Sequence, residues 1–506
     1  MVEIETLLRS LTRSGVRLNM EVGSLRYTAP RGVLTPHIVD SMRARKSELV
    51  GLLKSAQRYD GERLCSRDPL RPLDFTYQQE WVWGLLSQQN TMDFFIRTYA
   101  WRLIGRLDVG TFRESSDMFF NRHESLRTKL MALDGRLVQT IQPRLEQVVR
   151  VIQLSGDTNS ERRDYAYRFA EEQSSRALEM ADYFPVELTL MPVAEFEHVL
   201  CISMHHMFTD LTSLALLFRG IWRTYSDVKN GRVTAGGAPE LQYADYAAWQ
   251  RSTRIQWLGE HDDYWRTKLT KVTQSASHCS KRHIGSTGPL AERRAKLPAT
   301  LGAGVLKLAK SRRVIPAVIG LTAYLLGMCR WFGQREFVIP FNVSGRNLAE
   351  HEEMIGPLGY MLFLRLNVSD DMTYASLLRA VTQEFMSAYS HLDFATVAQE
   401  LPELLRGGFV QWLSWNPSER AGLSESEFEV LAPGMTLEPI AILRPLRDKR
   451  MWFDIVLQYL SVESELSICW WYREDLFTLE TIDQFSGDIR AIMAQMLATP
   501  DEGIRF

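Results

Sequence analysis

The chain has 506 residues, of which 45% are hydrophobic, and its formal net charge at neutral pH is −2. This composition is typical of a folded chain that is long enough for two or three domains, and it gives no electrostatic reason to expect a nucleic-acid partner. The sequence contains no apolar run of about 18 residues, so we expect no membrane-spanning helix.

The N-terminus and the cysteines both favour the cytoplasm. Residues 1–5 are acidic and lack the basic-then-apolar pattern of a signal peptide. The five cysteines are odd in number and scattered, which fits reduced thiols better than a disulfide framework. The sequence therefore predicts a cytoplasmic protein.

Residues 1–56 are predicted to form a small, separate α-β-β-α module. Apolar residues at helical spacing predict a first helix that ends near residue 15. Residues 16–22 and 25–28 alternate in polarity around a Gly-Ser turn, which is typical of a β-hairpin. Thr35 and Pro36 are a favourable pair for a helix start, and a second amphipathic helix follows them.

This module is basic, with nine lysine or arginine residues against five acidic residues. An open hairpin edge with basic neighbours can accept an acidic peptide by strand addition, although the same charges can also belong to an ordinary solvated surface. Our candidate docking residues are Arg17, Arg26, Arg31 and Lys46. Residues 57–71 are polar and charged and are predicted to be a linker, so that a larger domain begins at residue 72.

Two adjacent histidines and an aspartate stand out in the larger domain. Residues 196–204 are mostly apolar and predict a buried strand, whereas the apolar residues from Leu211 to Tyr225 recur at helical spacing. His205, His206 and Asp210 are therefore predicted to lie on the turn between a core strand and a helix. Such turns hold side chains rigidly while exposing them, so they are common places for chemistry.

This histidine pair admits several interpretations. Adjacent strand residues point to opposite faces, so one histidine can face a cavity while the other is packed. A neutral imidazole at a cavity can take a proton from an incoming nucleophile. The alternatives are a hydrogen-bonded core histidine, a simple helix N-cap role for Asp210, and a zinc site. The sequence has no Cys-x-x-Cys or His-Glu-x-x-His motif, so we expect no metal.

The N-terminal module resembles the TubC-type docking domains of assembly-line enzymes. The resemblance rests on the helix, hairpin and helix order and on the stretch Leu25-Arg26-Tyr27-x-Ala29-Pro30-Arg31-Gly32, and it covers nearly all of residues 1–56. It implies that the module captures a short acidic C-terminal tail of an upstream carrier protein.

The larger domain resembles the condensation domains of nonribosomal peptide synthetases. The motif His205-His206-x-x-x-Asp210 carries this resemblance together with others in the same order along residues 72–499, at 72–85, 121–128, 243–250, 341–346, 354–356, 364–365, 391–393 and 472–477. Residues 410–416 fall where the family has its bridging strand. So many motifs in register are hard to explain by chance.

The resemblance implies an α+β fold of two lobes, each like chloramphenicol acetyltransferase, that form a V-shaped pseudo-dimer with the active site at their junction. The lobes would be residues 72–272 and 289–506, joined by a linker at 273–288. Strand-like segments in the second lobe alternate with helix-like segments at 301–310, 317–331 and 482–497. The implied activity is an acyltransferase reaction: an acyl or peptidyl thioester on the phosphopantetheine of a partner carrier protein is joined to an amine or hydroxyl. No cofactor would be bound to this chain itself.

The resemblance also assigns roles to individual residues. His206 would be the catalytic histidine, acting either as a general base or as a hydrogen-bond acceptor that orients the nucleophile. His205 would be structural. Asp210 would form an ion pair that holds the loop, with Arg346 as the preferred partner and Arg122 as the second.

The chain stops near the end of the condensation domain, so we expect a free-standing monomeric enzyme. Its acceptor, a small molecule or a second carrier protein, would be supplied in trans, and the reaction could release the finished chain as an amide or an ester. We expect neither nucleic acid nor membrane as a partner.

Four residues depart from the family pattern. Leu211 replaces the glycine that usually follows the aspartate and should narrow the passage near the reacting atoms. Tyr360 and Met361 are bulkier and less polar than the usual residues, and Trp81 stands where an arginine is common. These changes favour an unusual acceptor or a non-catalytic platform that recruits carrier proteins or tailoring enzymes. A coenzyme A-dependent acyltransferase is a third possibility, against which the docking-like module argues.

Overall fold

The computed structural model describes residues 17–21, 24–29, 39, 42, 64–69, 72–89, 96–133, 136–175, 185–232, 239–269, 288–346, 348–392, 408–413, 423–440, 450–451, 453–462 and 465–504. Strand β1 (Arg17–Glu21) pairs antiparallel with β2 (Ser24–Thr28), and Arg17 lies opposite Thr28. The predicted hairpin is therefore confirmed. The helices predicted on either side lie outside the described residues, except for Val39 and Met42.

The first half of the larger domain contains both helices and strands. The helices are α1 (Tyr77–Gln89), α2 (Val109–Arg122), α3 (Asn159–Ser175), α4 (Leu211–Lys229) and α5 (Tyr243–Leu269). The strands are β3 (Ile96–Ile104), β4 (Thr128–Leu133), β5 (Arg136–Ile141), β6 (Val149–Val151), β7 (Val186–Ala194) and β8 (Glu197–His205).

The second half has the same mixed character. Its helices are α6 (Ala299–Arg312), α7 (Pro316–Phe332), α8 (Tyr374–Tyr389), α9 (Glu425–Leu431) and α10 (Leu479–Ala498). Its strands are β9 (Gly288–Lys296), β10 (Glu336–Val343), β11 (Tyr360–Asn367), β12 (Phe409–Leu413), β13 (Thr436–Ile440), β14 (Arg450–Met451), β15 (Ile455–Val462) and β16 (Glu465–Arg473). The helix-like segments predicted in this half lie within α6, α7 and α10.

The first lobe is built on a sheet with the order β13-β3-β8-β7-β6 among the described residues. Strand β8 is buried along its whole length, because it lies between β3 and β7 and helices cover both faces of the sheet. Helix α4 packs against α2 on one face. A Cβ atom on Gly220 of α4 would come within 2.0 Å of the Phe119 ring on α2, so only glycine allows this close approach.

The second lobe is built on a larger sheet with the order β11-β10-β12-β15-β16-β9-β14. Helix α7 lies in the centre of its core, where residues 316–329 are all buried. The sequence explains its bounds: Pro316 occupies the first turn, and Gly333 caps the C-terminal end with a left-handed φ of 66°. Each lobe thus packs helices on its own sheet, and the predicted mixed α+β class is confirmed.

The strand that crosses between the lobes is not the expected one. Residues 410–416 were the predicted bridge, but β12 lies inside the second sheet, parallel to both β10 and β15. It cannot bridge, because both of its edges are occupied and Val410 is fully buried in that core. Strand β13 crosses instead, and it pairs antiparallel with β3 of the first sheet.

Helix α5 connects the two lobes. Its N-terminal part packs Tyr246 and Trp249 against Met354 and Leu358 of the second lobe. Near its C-terminal end, the ring of Tyr264 stacks on His391 at 3.8 Å. The expected interlobe linker at 273–288 lies outside the described residues except for its last residue. Within the described part of the chain, no single helix is long and apolar enough to cross a membrane. Helices α6 and α7, which are bent by 109° relative to each other, reach the length and hydropathy of a membrane span only when they are counted together.

Candidate active site

The turn between β8 and α4 is closed by hydrogen bonds from both backbone and side chains. The amide of Phe208 donates to the carbonyl of His205 at 3.0 Å, and Oγ1 of Thr209 donates to the same carbonyl at 2.9 Å. Asp210 then caps α4 and accepts a hydrogen bond from the amide of Ser213 at 2.7 Å. This turn holds both histidines at the end of the central strand of the first lobe.

His205 is part of the packing. Its side chain is only 2% exposed, and its Nδ1 accepts a hydrogen bond from the amide of Met207 at 3.1 Å. Burial, with a smaller effect of His206, lowers the pKa of His205 to about 3. The ring is therefore neutral at physiological pH and supports the turn.

His206 has a defined tautomer. Its Nδ1 lies 2.7 Å from the carbonyl oxygen of Thr209, and a carbonyl oxygen can only accept, so Nδ1 carries the proton. In a neutral ring the lone pair is then on Nε2. A hydrogen bond of this kind fixes the ring orientation and makes Nε2 the atom that can accept a proton.

His206 is accessible yet surrounded by protein. Its side chain is exposed, in contrast to the buried residues on either side of it. Loss of bulk water is nevertheless the largest cause of its lowered pKa. The hydrogen bond to Thr209 opposes this effect, and the charge of Arg97 lowers the pKa further by a smaller amount, against a still smaller opposing effect of Asp210. The ring is therefore exposed but has protein groups close to it, and the lowered pKa favours its neutral form at neutral pH.

The carboxylate of Asp210 joins the two lobes. Nη2 of Arg346 lies 3.0 and 3.1 Å from its two oxygens. Arg346 is 5% exposed, and its Nη1 donates to the carbonyls of His351 and Met354. Asp210 thus combines a helix-cap role and an ion-pair role, which the sequence had left as alternatives. Of the two predicted partners it is Arg346 that pairs with Asp210, whereas the carbonyl of Arg122 accepts a hydrogen bond from Gln242 at 3.0 Å.

Ser213 is a residue of this junction that was missed in the sequence. Its Oγ lies 2.8 Å from Asp210 and accepts a hydrogen bond from the amide of Gly356 at 3.1 Å. The amide of Leu358 also donates to Asp210, at 3.2 Å. The sequence contained a signal, because Ser213 is the third residue after the capping aspartate and third-position side chains commonly take part in helix caps.

The four departures from the family pattern lie on three elements. Leu211 is the first residue of α4 and is half-buried. Tyr360 and Met361 begin β11, opposite Val343 and Asn342 of β10. Trp81 lies on α1. The side chains of Trp81, Tyr360 and Met361 are partly buried and pack against the same hydrophobic cluster.

The hydroxyl of Tyr360 is engaged in a polar contact with α5. It lies 2.6 Å from the hydroxyl of Tyr246 and accepts a hydrogen bond from Nε2 of Gln250 at 3.1 Å. Oε1 of Gln250 in turn accepts from the amide of Tyr77 at 3.0 Å. Tyr360 therefore links β11 of the second lobe to two helices of the first.

Arg97 is a second residue near the histidines that was missed in the sequence. It lies on β3, and its guanidinium lies over the indole ring of Trp471 on β16, 4.9 Å from the ring centroid. No local pattern indicates such a contact, because the two residues are far apart in sequence and belong to different lobes.

The candidate docking residues are only partly described. Arg17 lies on β1 and Arg26 on β2, whereas Arg31 and Lys46 lie outside the described residues. Within the part of the chain that the structure describes, no group of three or more histidine, cysteine, aspartate or glutamate residues converges in a way that could hold a metal ion.

Comparisons with known proteins agree with this arrangement. The condensation domain family matches residues 73–505, and the TubC N-terminal docking domain family matches residues 4–55. One of the proteins of linear gramicidin synthase from Brevibacillus parabrevis is 28% identical over 451 residues, which cover 87% of this chain and 6% of that protein. Chondramide synthase from Chondromyces crocatus is 27% identical over 465 residues, which cover 87% of this chain and 11% of the synthase. The chain thus spans a small part of these relatives.

Solved structures show the same fold. The X-domain from teicoplanin biosynthesis superposes with a TM-score of 0.72 at 21% identity, covering 87% of this chain and 98% of that chain. The first condensation domain of the calcium-dependent antibiotic synthetase gives a TM-score of 0.69 at 17% identity, covering 86% and 98%. Since the family match spans most of the sequence, this chain belongs to the condensation domain family and carries a TubC N-terminal docking domain ahead of the condensation domain.

Proposed function

We propose that this chain is an active condensation enzyme that joins a carrier-bound acyl or peptidyl thioester to an amine or hydroxyl acceptor. The observation that carries the proposal is the state of His206. Its ring is exposed, its Nδ1 is bound to the Thr209 carbonyl, and its Nε2 is the atom that can accept a proton. A platform that only recruits other proteins has no need of such a histidine.

The reaction can be written with these groups. The acceptor nitrogen or oxygen attacks the thioester carbonyl, so that a C–N or C–O bond forms and the C–S bond breaks. Nε2 of His206 accepts a hydrogen bond from the acceptor and can carry its proton to the departing sulfur of the phosphopantetheine arm. The phosphopantetheine belongs to the substrate that the carrier protein delivers.

The lowered pKa of His206 bears on the choice between its two roles. An imidazole with a depressed pKa is a weak base, but it is neutral and able to accept at physiological pH. An amine acceptor that is already neutral needs mainly orientation, whereas a hydroxyl must lose its proton during attack. Removal of the His206 ring should therefore slow transfer to a hydroxyl acceptor more than transfer to an amine.

The hydrogen-bonded surroundings of His206 favour an active site over a non-catalytic platform. Asp210, Arg346 and Ser213 form a hydrogen-bonded junction directly after the histidine turn. Such a junction restricts the ring to one position, as the alignment of two substrates requires.

We further propose that the docking domain delivers the donor. The module contains a β-hairpin, and it is basic, with nine basic against five acidic residues in residues 1–56. An acidic C-terminal tail of a carrier protein would suit both features. Supply of the acceptor in trans stays a prediction.

The proposal is tested by intact-mass analysis of a carrier protein loaded with an acyl thioester and incubated with this chain and candidate acceptors. Wild-type protein should unload the carrier and form product only when an acceptor is present. His206→Ala should abolish product while its circular dichroism spectrum and Tm stay those of the wild type. Lys307→Ala, an exposed substitution on α6, serves as the matched control. Full product formation by His206→Ala would contradict the proposal.

Leu211 favours one alternative. Its half-buried side chain begins α4 where the family usually has glycine, and a narrowed passage would suit a non-catalytic platform. Clear binding of the loaded carrier by the wild type, together with no product from any acceptor, would establish that alternative instead.

A further inference from the structure

We propose that Tyr360 is a positioning residue for the reaction. Together with Tyr246 it holds the loop that carries Arg346, and through that loop it keeps the His206 ring in one orientation. The inference deepens the proposed function, on which it rests, because it names a further residue that the reaction needs. It also gives a role to a side chain that departs from the family pattern.

Tyr360 lies beside the start of the Arg346 loop. It is the first residue of β11 and pairs with Val343, the last residue of β10. Its ring packs on the backbone of Gly345, because a Cβ atom at that glycine would lie 2.5 Å from Cδ2 of Tyr360. Gly345 also has a left-handed φ of 65°, which favours glycine at this turn. The backbone immediately before Arg346 is therefore in direct contact with the Tyr360 ring.

Tyr246 packs on the other end of the same loop. Its ring lies at 83° to the ring of His351, with 5.0 Å between the two centroids. The carbonyl oxygen of His351 accepts a hydrogen bond from Nη1 of Arg346 at 2.6 Å. The rings of the two tyrosines thus contact the two ends of residues 345–351, the segment that carries the guanidinium.

The hydroxyl groups of the two tyrosines join these rings to each other. Their oxygens are 2.6 Å apart, so one hydroxyl donates and the other accepts. Nε2 of Gln250 donates to the Tyr360 oxygen at 3.1 Å and to Oε1 of Gln78 at 3.0 Å. Tyr246 and Gln250 both belong to α5, whereas Tyr360 belongs to the second lobe. The Tyr360 hydroxyl therefore fixes the loop to the helix that connects the lobes.

The position of Arg346 affects the His206 ring through Asp210. Nη2 of Arg346 lies 3.0 and 3.1 Å from the two carboxylate oxygens of Asp210. The carbonyl of Thr209 and the amide of Asp210 belong to one planar peptide unit. That carbonyl accepts the hydrogen bond from Nδ1 of His206, at 2.7 Å. A shift of the Arg346 loop would therefore move the peptide unit that orients the ring.

A purely structural role for the Tyr360 hydroxyl makes a different prediction. Loss of a hydrogen bond inside a protein lowers its stability wherever the bond lies, whereas misplacement of a catalytic group lowers the rate of the chemical step. Tyr459 offers the comparison, because its buried hydroxyl donates to the carbonyl of Gly320 at 2.9 Å in the core of the second lobe. Tyr459→Phe is therefore the matched control for Tyr360→Phe.

The first test needs neither donor nor acceptor. NMR signals of 15N-labelled histidine rings report their tautomer and hydrogen bonding, and the His206 signals are those that disappear in His206→Ala. Tyr360→Phe should shift or broaden the His206 signals, because the ring is no longer held in one orientation, and Tyr459→Phe should leave them unchanged. If Tyr360→Phe does not fold, Tyr246→Phe removes the other half of the hydroxyl pair. Unchanged His206 signals in these variants would overturn the inference.

The second test measures Tm, kcat and KM with a loaded carrier protein and an acceptor that gives product in the mass assay. Tyr360→Phe should lower kcat about tenfold and leave KM for the acceptor within about twofold, because substrate binding is kept while alignment is lost. Tyr459→Phe should lower Tm and keep the wild-type kcat. The variant with both Tyr246→Phe and Tyr360→Phe should lose little more than either single variant, since each removes the same bond.

An unchanged kcat in Tyr360→Phe, or an equal loss of kcat in Tyr459→Phe, would refute the positioning role. If the wild type forms no product, the proposed function fails, and the NMR signals of His206 still decide the inference. The two failures are therefore distinguishable.

Discussion

Arg346 donates to both carboxylate oxygens of Asp210, at 3.0 and 3.1 Å, although the two residues are 136 positions apart in the chain. The carboxylate also caps α4, and the guanidinium also donates to three backbone carbonyls of the second lobe. One ion pair thereby fixes the position of the histidine turn relative to the other lobe. Both charges must stay paired, because burial of either charge alone would be unfavourable.

Arg346→Ala should destabilise the protein strongly. Removal of one partner of a buried ion pair costs about 3–5 kcal/mol, since the remaining charge is left without compensation. We expect a lower Tm and loss of transfer activity. Arg335→Ala removes a more exposed arginine that pairs with Asp370 and should change Tm little. Equal Tm values for Arg346→Ala and the wild type would show that the pair does not hold the junction.

Gly356→Ala should disturb the same junction by a steric route. A Cβ atom at this position would lie 2.0 Å from Cδ2 of Tyr243, which is far shorter than a real carbon–carbon contact. The backbone amide of Gly356 would have to move away from Ser213, so we expect a lower Tm and weaker activity. Gly359→Ala is the control, because among the described residues its Cβ would meet the carbonyl oxygen of Val343 at 3.5 Å, which is an ordinary contact distance. Similar losses in both variants would contradict this explanation.

The transfer rate should depend on pH through His206. Burial first, and Arg97 in addition, lower the pKa of this ring below 6.5, and its neutral form is the one that accepts a hydrogen bond. The rate should therefore be high near neutral pH and fall as the pH drops through the lowered pKa. The transfer rate, measured as a function of pH at a constant donor concentration, gives the pH of the inflection. Arg97→Gln should move it to higher pH, and an inflection above 6.5 in the wild type would contradict the expected environment.

The stability of the fold should also depend on pH, through His351. This residue is buried, packs its ring at right angles to Tyr246, and has its pKa lowered to about 3 by burial and by Arg346. Below pH 6.5 the unfolded chain binds a proton that the folded chain does not, so stability is full above 6.5 and declines as the pH falls toward 3. Thermal unfolding between about pH 7.5 and 4.5 measures the decline. His351→Phe should make the decline shallower, while His205, whose pKa is also lowered to about 3, keeps part of it. An unchanged slope would count against His351 as a source.

The segment before the condensation domain should be held by Arg67. Its Nη1 lies 2.9 Å from Glu124 and 3.0 Å from Asp245, and its own amide donates to Asp245 at 3.0 Å. Residues 57–71 were predicted to be a linker, and the part at 64–69 is packed on the first lobe. Arg67→Ala should speed hydrogen exchange at residues 64–69. Arg144→Ala, an exposed arginine, is the control, and unchanged exchange in Arg67→Ala would show that other contacts hold the segment.

Local patterns in the sequence were enough for several of the individual elements. The hairpin of residues 17–28, the buried strand before the histidines and the amphipathic helix after them all follow from local patterns of polarity. The helix cap by Asp210 and the bounds of α7 follow from single residue types with known preferences. Ordered motifs then led to the family.

Contacts between segments that are distant in the chain could not be predicted from local sequence patterns. The crossing of β13, the hydrogen bonds of Ser213 to Gly356, the contact of Arg97 with the Trp471 ring and the contact of Tyr360 with Tyr246 each join residues that no local period relates. A sequence determines which residues prefer a strand, a turn or a cap, because these preferences act over a few positions. Only the folded chain decides which side chains meet across the lobes, because that depends on how whole sheets and helices pack together.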